Sequence, residues 1–442
     1  MSTTLKLYYP SLPMLTASIN TMLAKAAVES VNALVEVYIR FHRGAWVDEA
    51  ILRLSSPQHF EHYLVALLAR AARRYSELRV APVTVGIAGD TRQFPKVCKA
   101  LNVTLPEGKL YDRLNALCRG FLKAYSGRLL GLMSRPWSVS VREAVRVSYT
   151  SGAGVILPAL VRSISMYEAG RFSGFRDEKL GKLTKGVLEV RGNEAWWALA
   201  LTAPAASLMA VERTPQGEVI MTFVHFDPIY GVEYGPADFR LYGELTGAVE
   251  EFIRRTGVFV EDEELFKLTL LLYAYSKVSS PLAYGGAEFG VGIRCVKAVG
   301  RRFTESHTLM LRSGEISTVH KALWERFGEE AGDVASACAE LGSFIQSIIR
   351  RAQAIARELG LDAFAVKLRM LFRSLVEPGY TPPSEHLYSI VRMIRVSDWR
   401  ARFTGLLANK LQLEEGLGRE EAHRNARRML KRLEEAVATV SA

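Results

Sequence analysis

From Val334 to Leu359 the apolar positions return in alternating steps of four and three: Val334, Cys338, Leu341, Ile345, Ile348, Ala352, Ile355 and Leu359. An α-helix repeats every 3.6 residues, so this spacing draws one continuous stripe down one side. A strand cannot use the pattern, because its side chains alternate with a period of two. Neighbouring helices cover a stripe of this kind, so the segment predicts a bundle seam. Gly360 ends this helix and Asp362 can cap the next. Further helices are expected over 362–376, 384–395, 398–412 and 419–438. Pro378-Gly379, Pro382-Pro383 and Gly416-Leu417-Gly418 separate three of them. The loops are short, so neighbours are expected to run antiparallel. Residues 333–442 therefore read as a C-terminal α-helical bundle, with 313–332 as a connector.

Residues 1–312 follow different rules. TLKLYY reads as a strand, and Ala17 to Phe41 carries apolar and small residues at helical spacing. A second helix is predicted over Gln58–Leu78. Leu64, Leu67, Leu68 and Ala71 form its apolar side, and Arg70, Arg73 and Arg74 gather near its end. APVTVGIA, residues 81–88, reads as a buried strand. A helix over 107–132 has Leu114, Leu117, Phe121 and Leu122 as its stripe. Residues 206–226 place two apolar runs around Thr214-Pro215-Gln216-Gly217, the chemistry of a hairpin turn. Residues 262–278 read as a helix whose acidic start, Glu261 to Glu264, suits the helix dipole. VGIRCVKAVGRRF follows as a strand. The fold class is thus α+β: a mixed α/β N-terminal region with antiparallel hairpins, followed by the helical bundle.

The longest uncharged run, Ala195 to Val211, is short for a membrane span and contains Pro204. It reads as buried core, and no membrane partner is expected. No basic, apolar, small-residue signal opens the chain, so the expected location is cytoplasmic. Cys98, Cys118, Cys295 and Cys338 are far apart, which speaks against a disulfide scaffold or a zinc ribbon.

The 442 residues carry a formal charge of +11, with 41 arginines against 16 lysines. A basic surplus favours polyanions, and arginine makes bidentate phosphate contacts and stacks on bases. Arginine enrichment and scarce Asn and Gln also fit a hot habitat. The charge is partly localised. Residues 341–442 hold 17 basic against 11 acidic residues, or +6 of the total.

Three regions concentrate it. The stretch AGRFSGFRDEKLGKLTKG, residues 169–186, holds Arg171, Arg176, Lys179, Lys182 and Lys185, with Phe172 and Phe175 between the arginines. Cations neutralise phosphates, aromatic faces stack on unpaired bases, and glycines let a loop follow an irregular backbone. The second region is PLAYGGAEFGVGIRCVKAVGRR, with Arg294, Lys297, Arg301 and Arg302; its Tyr284 and Phe289 could stack. The third is EAHRNARRMLKRLEEA, with Arg424, Arg427, Arg428 and Lys431. Each has an ordinary counterpart: an anchored surface loop, tight turns in a sheet, a solvated helix face.

Catalytic signatures are missing. There is no phosphate-binding GxxxxGK[ST], no HExxH and no Gly-x-Ser-x-Gly elbow. His59 and His62 are i and i+3 in HFEH, but two ligands do not make a metal site. His225 and Asp227 end a strand at VHFDP, where the bland reading is a strand stopped by Asp-Pro. No cofactor and no catalytic residue is expected.

A basic α/β region with glycine-rich and aromatic loops, then a helical bundle, resembles the large subunits of type I CRISPR interference complexes, the archaeal type I-A subunit above all. The resemblance rests on the three basic stretches quoted above. It implies a non-catalytic subunit that recognises the motif flanking the target and stabilises opened DNA. The guide RNA reads the target sequence. Partners would be guide RNA, target DNA, the other subunits of the effector complex, and a helicase-nuclease recruited in trans. Two rival readings stay open. One is an enzyme of unfamiliar family with a site near His225, Asp227 and the glycines of 284–292. The other is a scaffold that contacts only protein.

Overall fold

The structure is a computed structural model. It describes residues 2–77, 90–142, 146–148, 154–158, 160–161, 189–213, 219–256, 262–278, 286–299, 302–351 and 361–377, and then 386, 390, 404–405, 408, 412, 418–428 and 431. The chain divides into two compact units. Met1–Gly243 with Gly285–Met310 forms the first, and Glu244–Tyr284 with Leu311–Ala442 the second.

The first unit opens with a β-α-β-β-α run: β1 (Thr3–Pro10), α1 (Pro13–Asn32), β2 (Val37–His42), β3 (Val47–Leu54) and α2 (Pro57–Glu77). β3 lies between β1 and β2 and is antiparallel to both, with Leu7 opposite Ala50 and Ile39 opposite Leu52. The sequence expectation of a helix reaching Phe41 is corrected here. The helix stops at Asn32, and Leu34 takes a left-handed φ of 61°. Val37, Tyr38 and Ile39 are β-branched or aromatic and suit a pleated surface better than a helix. Alternation is strict along β2 and β3 and holds in β1 from Lys6 to Tyr9. Leu7, Tyr9, Val37, Ile39, Phe41, Ala50, Leu52 and Leu54 are all buried on one face.

Next come α3 (Phe94–Leu101), α4 (Leu110–Tyr125) and α5 (Leu129–Met133), then four short strands, β4 (Ser140–Arg142), β5 (Arg146–Ser148), β6 (Val155–Ile156) and β7 (Glu189–Gly192). These strands form one small sheet, antiparallel except for the β5–β7 pair. α6 (Glu194–Ser207) is buried from Ala195 to Ser207, as the uncharged run predicts. A helix that is apolar all round needs neighbours all round. α1, α2, α3 and α4 supply them. The Asn193 side chain accepts a hydrogen bond from the Trp196 amide at 2.9 Å and caps its start.

The two strands of the predicted hairpin pair antiparallel as β8 (Leu208–Arg213) and β9 (Val219–Pro228), while its turn at 214–217 lies outside the described residues. β10 (Glu233–Tyr234) adds to the first sheet beside β2, giving the order β1-β3-β2-β10. α7 (Pro236–Thr256) starts with proline at its first position, and the Asp238 carboxylate reaches back to the Gly235 amide at 2.7 Å. After α8 (Glu263–Lys277), β11 (Phe289–Val299) and β12 (Arg302–Arg312) complete the second sheet, β12-β11-β9-β8. An aromatic cluster centred on Phe226 joins the two large sheets of the first unit. Its ring lies 5.6 Å from Phe41, 5.3 Å from Tyr234, 4.8 Å from Tyr242 and 5.6 Å from Phe289.

The second unit packs α8, α9 (Ser313–Phe327), α10 (Ala331–Arg351) and α11 (Leu361–Val376) against one another. The seam read from the sequence is real where it is described: Val334, Cys338, Leu341 and Ile345 are buried. Asp262 caps α8 through the Leu265 amide at 3.0 Å and pairs with Arg369 of α11 at 3.3 Å. Two features differ from expectation. Residues 313–327 of the supposed connector are a helix of the unit itself. The unit also draws in 244–284 from earlier in the chain, because buried Leu265, Phe266, Leu270 and Leu272 of α8 need helical partners. Of the later expected helices, 419–428 is helical, and most of 378–417 lies outside the described residues. The fold is α+β, with predominantly antiparallel sheets. Among the described residues no helix is long and apolar enough to cross a membrane.

Candidate nucleic-acid interface

The structure treats the three basic regions differently. Arg171, Phe172, Phe175, Arg176, Lys179, Lys182 and Lys185 lie outside the described residues, as do the predicted strand at 81–88, Tyr284 and Arg301. Arg302 opens β12, and nothing further is described of its side chain.

Arg294 and Lys297 both sit on β11, three positions apart. The strand runs opposite β9 in unbroken register from Phe289 to Ala298, so these two side chains project from opposite faces. The strand therefore does not bring them together as one patch. Arg294 shares its face with Gly292, whose partner across the ladder is His225.

The glycine-rich approach to this strand has a packing explanation. A side chain on Gly286 would collide with the Asp238 carboxylate, which also accepts the Ala287 amide at 2.8 Å. Gly290 and Gly292 are strand residues beneath the Met310 side chain. Phe289 is 1% exposed inside the aromatic cluster and has no face left for a base. The stacking role considered for Phe289 is thereby corrected.

The third region is gathered. Residues 419–428 are helical, and Arg424, Arg427, Arg428 and Lys431 are all exposed. The spacing i, i+3 and i+4 puts Arg424, Arg427 and Arg428 on one side of that run, while Ala422 and Ala426 on the opposite side are buried. An exposed group of cations on one helix side can face several phosphates of one strand.

His225 and Asp227 share a face of β9 but not an environment. His225 is 4% exposed, whereas Asp227 is exposed. Among the described residues neither ring nitrogen of His225 makes a hydrogen bond within ordinary geometry; the nearest acceptor is the Ala17 carbonyl, which also accepts the Thr21 hydroxyl at 2.6 Å. Burial holds the His225 pKa well below its ordinary value, and the nearby Arg294 and Lys25 charges add to this. The ring stacks on Phe223 at 5.9 Å. It is a neutral core imidazole, with no proton relay to Asp227. On α2, His59 is bonded through Nδ1 to the Ser56 hydroxyl at 2.7 Å. Among the described residues, no group of three or more His, Cys, Asp and Glu could hold a metal.

Sequence reading missed one cationic surface. The outer face of the β1-β3-β2-β10 sheet carries Lys6, Tyr8, Tyr38, Arg40 and Arg53, all partly or well exposed. Alternation of apolar and polar residues in YIRFH and VDEAILRL was the available signal. No family model matches the chain, and no curated protein matches it.

Proposed function

We propose that this chain is a non-catalytic, nucleic-acid-binding large subunit of an RNA-guided CRISPR interference complex. In this reading it works in the cytoplasm with guide RNA, target DNA and the other subunits of the complex. It recognises the motif beside the target, holds the opened DNA, and leaves cutting to a helicase-nuclease recruited in trans. Residues 333–442 would form a complete helical bundle along the backbone of that assembly. The observation that carries the reading is the exposed group of Arg424, Arg427 and Arg428 on one side of the 419–428 helix, with exposed Lys431 beyond it. It is a surface suited to phosphates on a chain of charge +11.

The test is fluorescence anisotropy of the full chain with labelled duplex DNA, single-stranded DNA and RNA across a salt series. Each phosphate contact contributes about 0.9 to the duplex slope of log K against log salt. Arg424→Ala/Arg427→Ala/Arg428→Ala is expected to lower that slope by about three. Arg171→Ala/Arg176→Ala/Lys182→Ala should lower it by a similar amount if the loop also holds phosphates. Failure of the wild type to bind any of the three at low salt would sink the reading.

A further inference from the structure

Among the described residues, the sheet β1-β3-β2-β10 buries one face and leaves the other half-exposed to exposed. The open side chains fall into cross-strand rows set by the register. Thr4, Arg53 and Tyr38 make one row. Lys6, Ile51, Arg40 and Glu233 make the next, and Tyr8, Glu49 and His42 the third. An aromatic ring thus stands at each of two opposite corners, with a cationic row between them. Four positions along β3 separate the two corner rows, about 13 Å, and two strand spacings separate β1 from β2, about 10 Å. A diagonal across this face passes Tyr8, then Lys6 and Arg40, then Tyr38 with Arg53.

Each tyrosine already has a cation beside its ring. The Arg53 guanidinium lies 4.4 Å from the Tyr38 ring centre, and Lys6 Nζ lies 5.2 Å from that of Tyr8. The cations are held by acids: Lys6 by Glu49 at 2.7 Å, and Arg53 and Arg40 by Glu233 at 3.0 and 3.7 Å. Exposed ion pairs of this kind contribute little, so the three cations can turn toward a phosphate at small cost, with Glu49 and Glu233 remaining on the same face.

We propose that this open face binds single-stranded nucleic acid. Tyr8 and Tyr38 stack on unpaired bases, and Lys6, Arg40 and Arg53 take the phosphates between them. Sheets with aromatic side chains on an open face recognise strands in this way. The B-DNA major groove is about 12 Å wide and admits a two-stranded ribbon at most, so a four-stranded face suits a strand without its complement. The proposal rests on the nucleic-acid reading above and adds a site remote in sequence from all three basic stretches.

The experiment uses the full chain with fluorescein-labelled ten-nucleotide oligo(U) and oligo(dU) at low salt. Loss of a stacked ring should weaken binding by about 5- to 150-fold. Tyr8→Ala/Tyr38→Ala is therefore expected to bind at least 25-fold more weakly than wild type, by roughly the product of two such losses. Tyr8→Phe/Tyr38→Phe keeps both faces and should stay within about threefold, which separates stacking from lost hydroxyl contacts. Lys6→Ala/Arg40→Ala/Arg53→Ala provides a second variant set. It should lower the single-strand salt slope by about two, at about 0.7 per phosphate. Tighter binding of one oligonucleotide identifies the sugar preferred, and either preference supports the site. If the wild type binds and both variant sets bind equally well, the sheet face is overturned while the nucleic-acid reading stands. If the wild type binds neither oligonucleotide, the sheet-face proposal falls. If duplex DNA also fails to bind, the broader reading falls with it.

Discussion

Replacing Gly342 by alanine should destabilise the second unit, although alanine is the better helix former. Gly342 lies inside α10, facing α8. In an exposed helix interior, glycine to alanine gains about 0.8–1 kcal/mol. Here the added methyl would overlap the Thr269 hydroxyl. It would also stand 2.6 Å from Thr269 Cγ2 and 3.0 Å from Phe372 Cε2. Thr269 cannot easily yield. It is fully buried, branched at Cβ, and its hydroxyl donates to the Leu265 carbonyl at 2.6 Å. Overpacking of this kind costs about 1–3 kcal/mol. The net expectation is a loss of up to about 2 kcal/mol. Gly247, within α7, provides the control. Its added methyl meets nothing within 4 Å, so Gly247→Ala should stabilise by about 1 kcal/mol. Urea unfolding followed by circular dichroism measures both. In a Thr269→Ala background the two closest atoms are gone and only Phe372 Cε2 at 3.0 Å remains, so the Gly342→Ala increment should become less unfavourable than in the wild type. If Gly342→Ala stabilises the wild type as much as Gly247→Ala does, the close approach of α8 and α10 is refuted.

Three further outcomes are expected. His225 is buried neutral with a lowered pKa, so its contribution is complete above pH 6.5 and is lost as pH falls, when the unfolded chain takes up the proton. His225→Leu should flatten the fall in denaturant midpoint between pH 7.5 and 5.5, by up to about 1.4 kcal/mol per pH unit below 6.5; equal slopes would contradict the neutral burial. All four cysteines are buried, and burial pushes the Cys118 thiol up to about 12, so a thiol reagent at pH 8 should titrate none in native protein and four in denaturant. Asp262→Ala should cost about 1–2 kcal/mol by removing the α8 cap and the Arg369 partner, and Asp262→Asn should recover most of it by thermal melting.

The candidate interface was legible in unequal measure. Arg424, Arg427, Arg428 and Lys431 could be placed on one surface from the sequence because helical spacing alone brings them together. Arg294 and Lys297 looked equally close in sequence. In a strand the same three-residue separation sends them to opposite faces. The sheet face with Tyr8 and Tyr38 escaped notice because its residues come from segments thirty positions apart. Only strand pairing through β3 puts them on one surface.

What the sequence determined by itself is local. It specified the apolar stripe of α10, the two strands β8 and β9, the acidic start of α8 and the buried character of α6, because each depends on spacing and residue type within one segment. Tertiary structure decided what is non-local. The stop of α1 at Asn32 follows from the strand register that claims Val37–His42. The membership of 244–284 in the second unit follows from α8 burying its apolar side against helices more than forty residues later. The environments of His225 and Phe289 were likewise set by burial. Composition carries no record of which side chains a folded chain will enclose, since that depends on which surfaces meet.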